Sequence, residues 1–279
     1  MLARGTDLLK YEQAAGTAVA AFTVYTLESI RAVVDAAEAT ARPVLMSSGS
    51  SSYRVTGAPE LAAAALAAAE RASVPIGVHL DHCTDETEIA RAIRLGYTSV
   101  MFDGSALPYA ENLERTKAVV ALAHAEGVWV EGELGALPGD EDASTDASAV
   151  ELTDPAQAAD FAARTGVDAL AVAVGTVHGF SATPMYVDLP RLAAIAACTE
   201  IPLVLHGASG LPDANLAAAV RTGIAKVNVN AELRKAHREA MEHALAEQGD
   251  DLLRIQRAAV AAMTITAAEK IGVLSGKEN

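Results

Sequence analysis

The sequence has only two cysteines, Cys83 and Cys198, in 279 residues. No disulfide framework can hold it, and a reducing compartment is the simpler setting. Aromatic residues are scarce at 4 %, so aliphatic side chains and alanine must fill the core. No uncharged apolar run is long enough to cross a bilayer. Arg4, Asp7, Lys10 and Glu12 precede the first apolar run, which is not the pattern of a secretory leader. These absences predict a soluble, cytoplasmic protein. Basic residues are outnumbered, 21 against 36 acids, and the net charge of −15 would be repelled by a nucleic-acid backbone or an anionic membrane. A small anionic substrate stays open, because a few backbone N–H groups can hold phosphate locally. Nor does a Gly-x-Gly-x-x-Gly turn follow the first apolar run, which argues against an open dinucleotide-binding sheet.

What is present is a long alternation. Apolar residues make up 51 % of a chain long enough to bury a full core as one barrel-type domain. Short apolar runs at 18–23, 43–47, 76–80, 99–103, 128–133, 169–174, 203–206 and 225–229 alternate with helical patterns. The helical patterns lie at 27–39, 59–72, 85–95, 109–125, 155–164, 190–197, 213–221 and 232–247. Eight strands alternating with helices predict an α/β fold, a single (β/α)8 TIM barrel over residues 1–279. Residues 250–271 read as one extra helix, within a C-terminal helical extension at 250–279. One connection, 134–153, has no usable periodicity. A loop that long in a compact domain is uncommon, and two readings fit it: a mobile active-site lid or a solvated acidic insertion.

Three apolar runs close on histidines: His82 in Val78-His79-Leu80-Asp81-His82-Cys83, His178 in Val174-Gly175-Thr176-Val177-His178-Gly179, and His206 in Leu203-Val204-Leu205-His206-Gly207. In a barrel the C-terminal strand ends share one face, so these three project together from strands 3, 6 and 7. Three neutral imidazoles and an open position describe a catalytic divalent-metal site, best matched by zinc. A lone strand-end histidine is more often structural; three of them, two as His-Gly, favour a metal. His79 points the same way but deeper and reads as structural, while His124, His237 and His243 read as helix-surface residues.

Carboxylates gather on that face. Asp81 precedes His82, Asp103 closes strand 4, and Glu133 closes strand 5 two residues after Glu131. Alternation points Glu131 and Glu133 the same way, so one of them suits partnership with a metal-ligating histidine. Asp140, Glu141 and Asp142 ride on the long loop, where plain solubility is the competing reading. A metal that polarises a carbonyl, with one fixed and one mobile carboxylate, suits proton abstraction next to that carbonyl. Glycine turns at 175–179 and 207–210, with Lys226-Val227-Asn228-Val229-Asn230 running into a helix, look like the phosphate cradle such barrels build at strands 7 and 8.

Taken together, His79-Leu80-Asp81-His82-Cys83, Glu133-Leu134-Gly135, Val174 to Gly179, His206-Gly207-Ala208-Ser209-Gly210 and Lys226 to Asn230 resemble the class II, metal-dependent ketose-bisphosphate aldolases of the fructose- and tagatose-bisphosphate type. The resemblance covers nearly the whole chain. It implies Zn2+ on His82, His178 and His206, with Asp81 as the acid/base at the aldehyde oxygen and Glu141 as the base for the donor's α-proton. It further implies Asp103 near the metal, Glu133 at an alternative metal position, and Gly179, Gly207, Ser209, Asn228 and Asn230 around dihydroxyacetone phosphate. Ser47 matches a serine that contacts substrate. A monovalent cation (Na+ or K+) beside the phosphate and a homodimeric or homotetrameric assembly also follow from the resemblance.

The departures cluster at the substrate end. Phe22-Thr23 stands where the family commonly has Phe-Asn, and Asn230-Ala231 where it has Asn-Thr. Asp251-Leu252-Leu253-Arg254 replaces its Asp-Pro-Arg, leaving Arg254 and Arg257 as candidates for a far phosphate. Losing two charge-assisted phosphate bonds, each about 1.5–3 kcal/mol, would weaken a bisphosphate appreciably. A singly phosphorylated or unphosphorylated ketose is therefore the alternative substrate, and a non-catalytic metal-binding barrel the alternative class. Amidohydrolase-type chemistry would need His-x-His on strand 1, which Val19 to Thr23 lacks.

Overall fold

The computed structural model of the protein describes residues 1–135, 151–181 and 184–276. The chain runs α1 (Asp7–Ala14), β1 (Val19–Thr23), α2 (Leu27–Thr40), β2 (Val44–Ser48), α3 (Ser50–Thr56), α4 (Ala58–Arg71), β3 (Ile76–Cys83), α5 (Glu86–Leu95), β4 (Ser99–Phe102) and α6 (Tyr109–Ala125). It continues β5 (Trp129–Leu134), α7 (Pro155–Thr165), β6 (Ala169–Val172), α8 (Leu189–Cys198), β7 (Leu203–Leu205), α9 (Asp213–Thr222), β8 (Ile224–Val229), α10 (Ala231–Gln248) and α11 (Leu252–Leu274). The eight parallel strands close in sequence order, β8 pairing with β1 through Val19↔Lys226 and Phe22↔Val229. This is the expected (β/α)8 barrel, with α11 as the added helix packed on α10 and α2.

Local chemistry sets the helix starts and stops. Thr26 and Ser29 form a reciprocal capping box at α2. Asp154 accepts from two N–H groups ahead of Pro155 at α7, and Gly166 (φ 75°) ends that helix. At α5 the cap is Asp85, its carboxylate accepting from Thr87 N–H at 2.8 Å.

Alternation along the strands divides the side chains into two sets. Ala20, Phe22, Val44, Met46, Val78, Leu80, Val100, Phe102, Leu170 and Val172 pack outward against the helices. Inward, Val19, Ala21, Leu45, Met101, Trp129, Ala169, Ala171 and Val204 form a separate apolar floor, plugged by Leu9 of α1. Beside this floor other inward positions are polar: Glu131, two residues beyond Trp129 on β5, His79 on β3 and Lys226 on β8, all fully buried.

Two helices, α1 and α3, fall where no helical pattern was expected. β3 runs to Cys83 instead of stopping at 80, because an extra residue bulges between Leu80↔Val100 and Cys83↔Phe102. Residues 136–150 of the long connection lie outside the described residues. Its ends are held side by side: Thr153 N–H donates to Ala173 O at 3.0 Å, and its hydroxyl donates to Leu134 O.

Candidate active site

At the C-terminal mouth of the barrel the structure brings His82, His178 and His206 together, with one ring nitrogen of each within 4.8 Å of the others. His82 lies in the β3 bulge with φ 43°, a left-handed conformation that a non-glycine residue adopts at a cost. The bulge turns its ring towards the barrel axis. Beneath it, Gly49 leaves no room for a side chain, since a Cβ there would sit 2.9 Å from Asp81 O. His206 directly follows β7. His178 departs from the expectation that it closes a strand: β6 ends at Val172, and Gly175 (φ 106°) has already turned the chain. The ring nevertheless stands 4.9 Å from that of His82, centroid to centroid.

The hydrogen-bond network assigns ring protons to two of the three histidines. His82 Nδ1–H donates to Asp103 Oδ2 at 2.9 Å, and His206 Nε2–H donates to Glu131 Oε1 at 2.8 Å. Their remaining nitrogens, His82 Nε2 and His206 Nδ1, face each other at 2.7 Å. That is hydrogen-bond distance, and with both nitrogens unprotonated their lone pairs would converge on one point, where a cation would hold them. Glu133 completes the case. Burial first, then the neighbouring Asp103 charge, raises its carboxyl well above the usual range, and its Oε2 has no hydrogen-bond partner among the described residues. With His82 and Asp103 it forms a second potential metal group beside the first. The donor set fits a divalent metal ion.

Electrostatics hold the other acids ionised. Burial opposes the charge on Asp103, but hydrogen bonding to His82 and Ser105 outweighs it and keeps the carboxyl well below its ordinary range. Asp81, 3 % exposed, is likewise held low against burial by His82, His79, Lys226 and His206. Asn228 Nδ2 donates to both Asp81 oxygens, at 3.1 and 3.0 Å. Burial lowers the His206 pKa, favouring the neutral ring that a metal requires. His79 is structural as expected: it shares a 2.8 Å hydrogen bond with Ser99 and stacks on Trp129 at 5.4 Å.

Gly179, Gly207, Ser209, Asn228 and Asn230 line one small cleft together with His178, Ala208 and Ala231. Gly207 (φ 66°) admits no Cβ, which would lie 2.4 Å from Val177 O. Ser47 and Thr23 are register neighbours on β2 and β1, and neither buried hydroxyl has a hydrogen-bond partner among the described residues. Arg254 sits on the exposed first turn of α11, paired with Asp251 at 3.2 Å. Glu141 falls outside the described residues. Sequence reasoning gave no role to Lys226, which lies at the centre of the barrel with Nζ 2.8 Å from Glu131 Oε2; the inward phase of Lys226-Val227-Asn228 was the available signal.

A buried three-histidine centre ringed by carboxylates, at the C-terminal mouth of a (β/α)8 barrel, defines a metal-dependent barrel enzyme. The family description "Fructose-bisphosphate aldolase class-II" matches residues 3–279, and the chain belongs to that family. Among solved structures it is similar to the YdjI aldolase from Escherichia coli K12, at 33 % identity and a TM-score of 0.89 over 100 % of both chains. It is also similar to a putative fructose-1,6-biphosphate aldolase from Coccidioides immitis, at 32 % identity and a TM-score of 0.87 over 98 % of this chain and 97 % of the other. A fructose-bisphosphate aldolase from Campylobacter jejuni, at 21 % identity and a TM-score of 0.81 over 100 % and 97 %, shares the fold. Among the described residues, no helix is long and apolar enough to cross a membrane.

Proposed function

We propose that this class II aldolase cleaves a phosphorylated ketose reversibly to dihydroxyacetone phosphate and an aldehyde, using Zn2+ held by His82, His178 and His206. The observation that carries the reading is the convergence of the His82, His178 and His206 ring nitrogens within 4.8 Å of one another, beside the buried Asp81–Asn228 contact. When bound, the ion supplies Lewis acidity that polarises the ketose carbonyl.

The chain's own groups do the rest. Asp81, ionised and clamped by Asn228, takes the proton from the hydroxyl on the far side of the scissile bond. The C–C bonding pair then passes to the donor fragment as the aldehyde leaves. Glu141 delivers a proton to that donor carbon, a role that rests on the family resemblance. In condensation both transfers reverse. The cleft lined by Gly179, Gly207, Ser209, Asn228 and Asn230 receives the donor's phosphate at the start of α10, where backbone N–H groups and the helix dipole favour an anion. Ser47 and Thr23 offer their unpaired hydroxyls to the remainder of the sugar. Asp103 orients His82, and Glu133 offers the ion a second resting position.

The deciding experiment is exchange of the α-proton of dihydroxyacetone phosphate in deuterated water, with and without chelator. Chelator-sensitive exchange supports the donor half-reaction, and a panel of phosphorylated and unphosphorylated ketoses then identifies the acceptor. No exchange in the zinc-loaded protein would overturn the reading and favour a non-catalytic metal-binding barrel. The same reading includes a monovalent cation beside the phosphate, a dimeric or tetrameric assembly, and a cytoplasmic setting suited to two unpaired cysteines. Dependence of exchange on K+ or Na+, light scattering and cell fractionation test these in turn.

A further inference from the structure

Lys226 is a whole ammonium buried in the middle of a barrel, on a position that the proposed chemistry does not use. It is fully buried. The register of β7 on β8 skips from Leu203↔Ile224 to Val204↔Lys226, so an irregularity on β8 immediately precedes it. Irregularities of this kind re-aim side chains. An apolar side chain of similar length would avoid the desolvation of the charge, so what Lys226 does must depend on its being a donor.

Its two partners lead separately to the two working parts of the site. One is Asn228 Oδ1, at 2.8 Å. An ammonium can only donate, so Asn228 has to present its carbonyl oxygen to Lys226. Its NH2 group is then left facing both oxygens of Asp81, at 3.1 and 3.0 Å. With the amide reversed, a carbonyl oxygen would face a carboxylate. The other partner is Glu131 Oε2, at 2.8 Å. With that oxygen engaged, Oε1 accepts from His206 Nε2–H at 2.8 Å, which leaves His206 Nδ1 as the bare nitrogen facing His82.

We propose that Lys226 is a positioning residue whose donor-only ammonium fixes both the orientation of the Asn228 amide against Asp81 and, through Glu131, the His206 tautomer that faces the candidate metal centre. For its kinetic arm the inference rests on the aldolase reading; its metal-binding arm stands alone.

Lys226→Met would leave the buried Glu131 charge with only its His206 contact, with a risk of misfolding, so the informative variant is Lys226→Gln. Glutamine keeps the approximate length and can still bond Glu131, but it can offer either end of its amide to Asn228. Zinc affinity by chelator competition should fall about 10–100-fold, the range for loss of a group that orients a metal ligand. The visible spectrum of the Co2+-substituted variant should shift, and kcat should fall more than KM. Lys226→Arg, charged and donor-only, should recover part of the loss. Wild-type zinc affinity and an unchanged Co2+ spectrum in a folded Lys226→Gln variant would overturn the proposal. The wild-type protein provides a check that does not depend on any variant folding: 15N NMR should find the His206 proton on Nε2, and finding it on Nδ1 would equally overturn the proposal. Absence of proton exchange in the wild type would count against the aldolase reading, while the zinc, Co2+ and NMR readouts would still decide the role of Lys226.

Discussion

The barrel interior has an apolar lower storey and a polar upper one, which β5 joins by one inward step from Trp129 to Glu131. In the lower storey, Val19, Leu45, Met101, Trp129 and Val204 form an apolar cluster with Leu9 of α1. In the upper storey, Glu131, Lys226 and His79 fill the same cross-section with charge and hydrogen bonds. The first is held by burial and close packing, so side chains of similar volume can be exchanged there at a cost under about 1.5 kcal/mol. The second has no such tolerance, because each buried polar atom needs a particular partner. β5 spans both: Trp129 belongs to the floor, Glu131 to the buried network and Glu133 to the candidate metal centre. Position along a strand therefore separates what stabilises this barrel from what equips it for chemistry.

The strongest test of that separation sets one residue of each kind against the other. Asp81→Ala removes the buried carboxylate clamped by Asn228 but no histidine nitrogen. Turnover should fall about 10²–10⁴-fold while zinc content, measured by elemental analysis, stays at the wild-type level. Zinc lost along with turnover would instead make Asp81 part of the metal site. Trp129→Ala, in the floor, should do the converse. It should lower unfolding stability by about 3–5 kcal/mol in denaturant titration and leave kcat per folded molecule unchanged. The stacking of His79 on Trp129 is a route by which the floor could reach the site. A large fall in kcat for Trp129→Ala would show that the storeys are coupled there.

The outer and lower parts of the molecule were the more legible from sequence. Strands buried on both faces read as apolar runs, so all eight strands were located to within a few residues at either end. α1 and α3 were missed for a physical reason. α1 buries only Leu9 and Glu12, and α3 spans seven residues, Ser50–Thr56, too few to show a periodic face. In the upper storey the convergence of His82, His178 and His206 followed from the barrel alone. What the sequence hid was conformation set by tertiary contacts: the left-handed His82 in its bulge, and the turn at Gly175 that carries His178 off the strand although Ala173-Val174 continues its apolar pattern. The division of labour between Glu131 and Glu133 was open as well. They share a face, but only the structure gives Glu131 to His206 and leaves Glu133 Oε2 without a hydrogen bond.

A smaller effect is expected where the upper storey meets solvent. Asp103 is half-buried, and its contact with His82 Nδ1 is more exposed than that of His206 with the fully buried Glu131. Asp103→Asn keeps an acceptor at that place but removes the charge. Zinc affinity should weaken about 10–100-fold with little change in stability. An unchanged affinity would mean that the bulge alone holds the His82 ring.

The smallest effect, and the most diagnostic for the metal, concerns Glu133. Its carboxyl is raised above the ordinary glutamate value by burial and by Asp103. A raised carboxyl stabilises the fold only below its unfolded-state pKa, and that contribution is lost as pH rises through the folded-state value. At neutral pH, above the unfolded-state value, Glu133 is therefore a burden on the metal-free protein, one that a bound cation would relieve. Glu133→Gln should raise the thermal midpoint of the metal-free protein by about 2–4 °C for each kcal/mol relieved. The gain should shrink as pH is lowered towards the ordinary glutamate range, and also when zinc is added. The upper storey would then be destabilising without its ion and stable with it, whereas the apolar floor is indifferent to metal. Equal gains with and without zinc would remove Glu133 from the metal site and leave it as a buried acid with no tie to the ion.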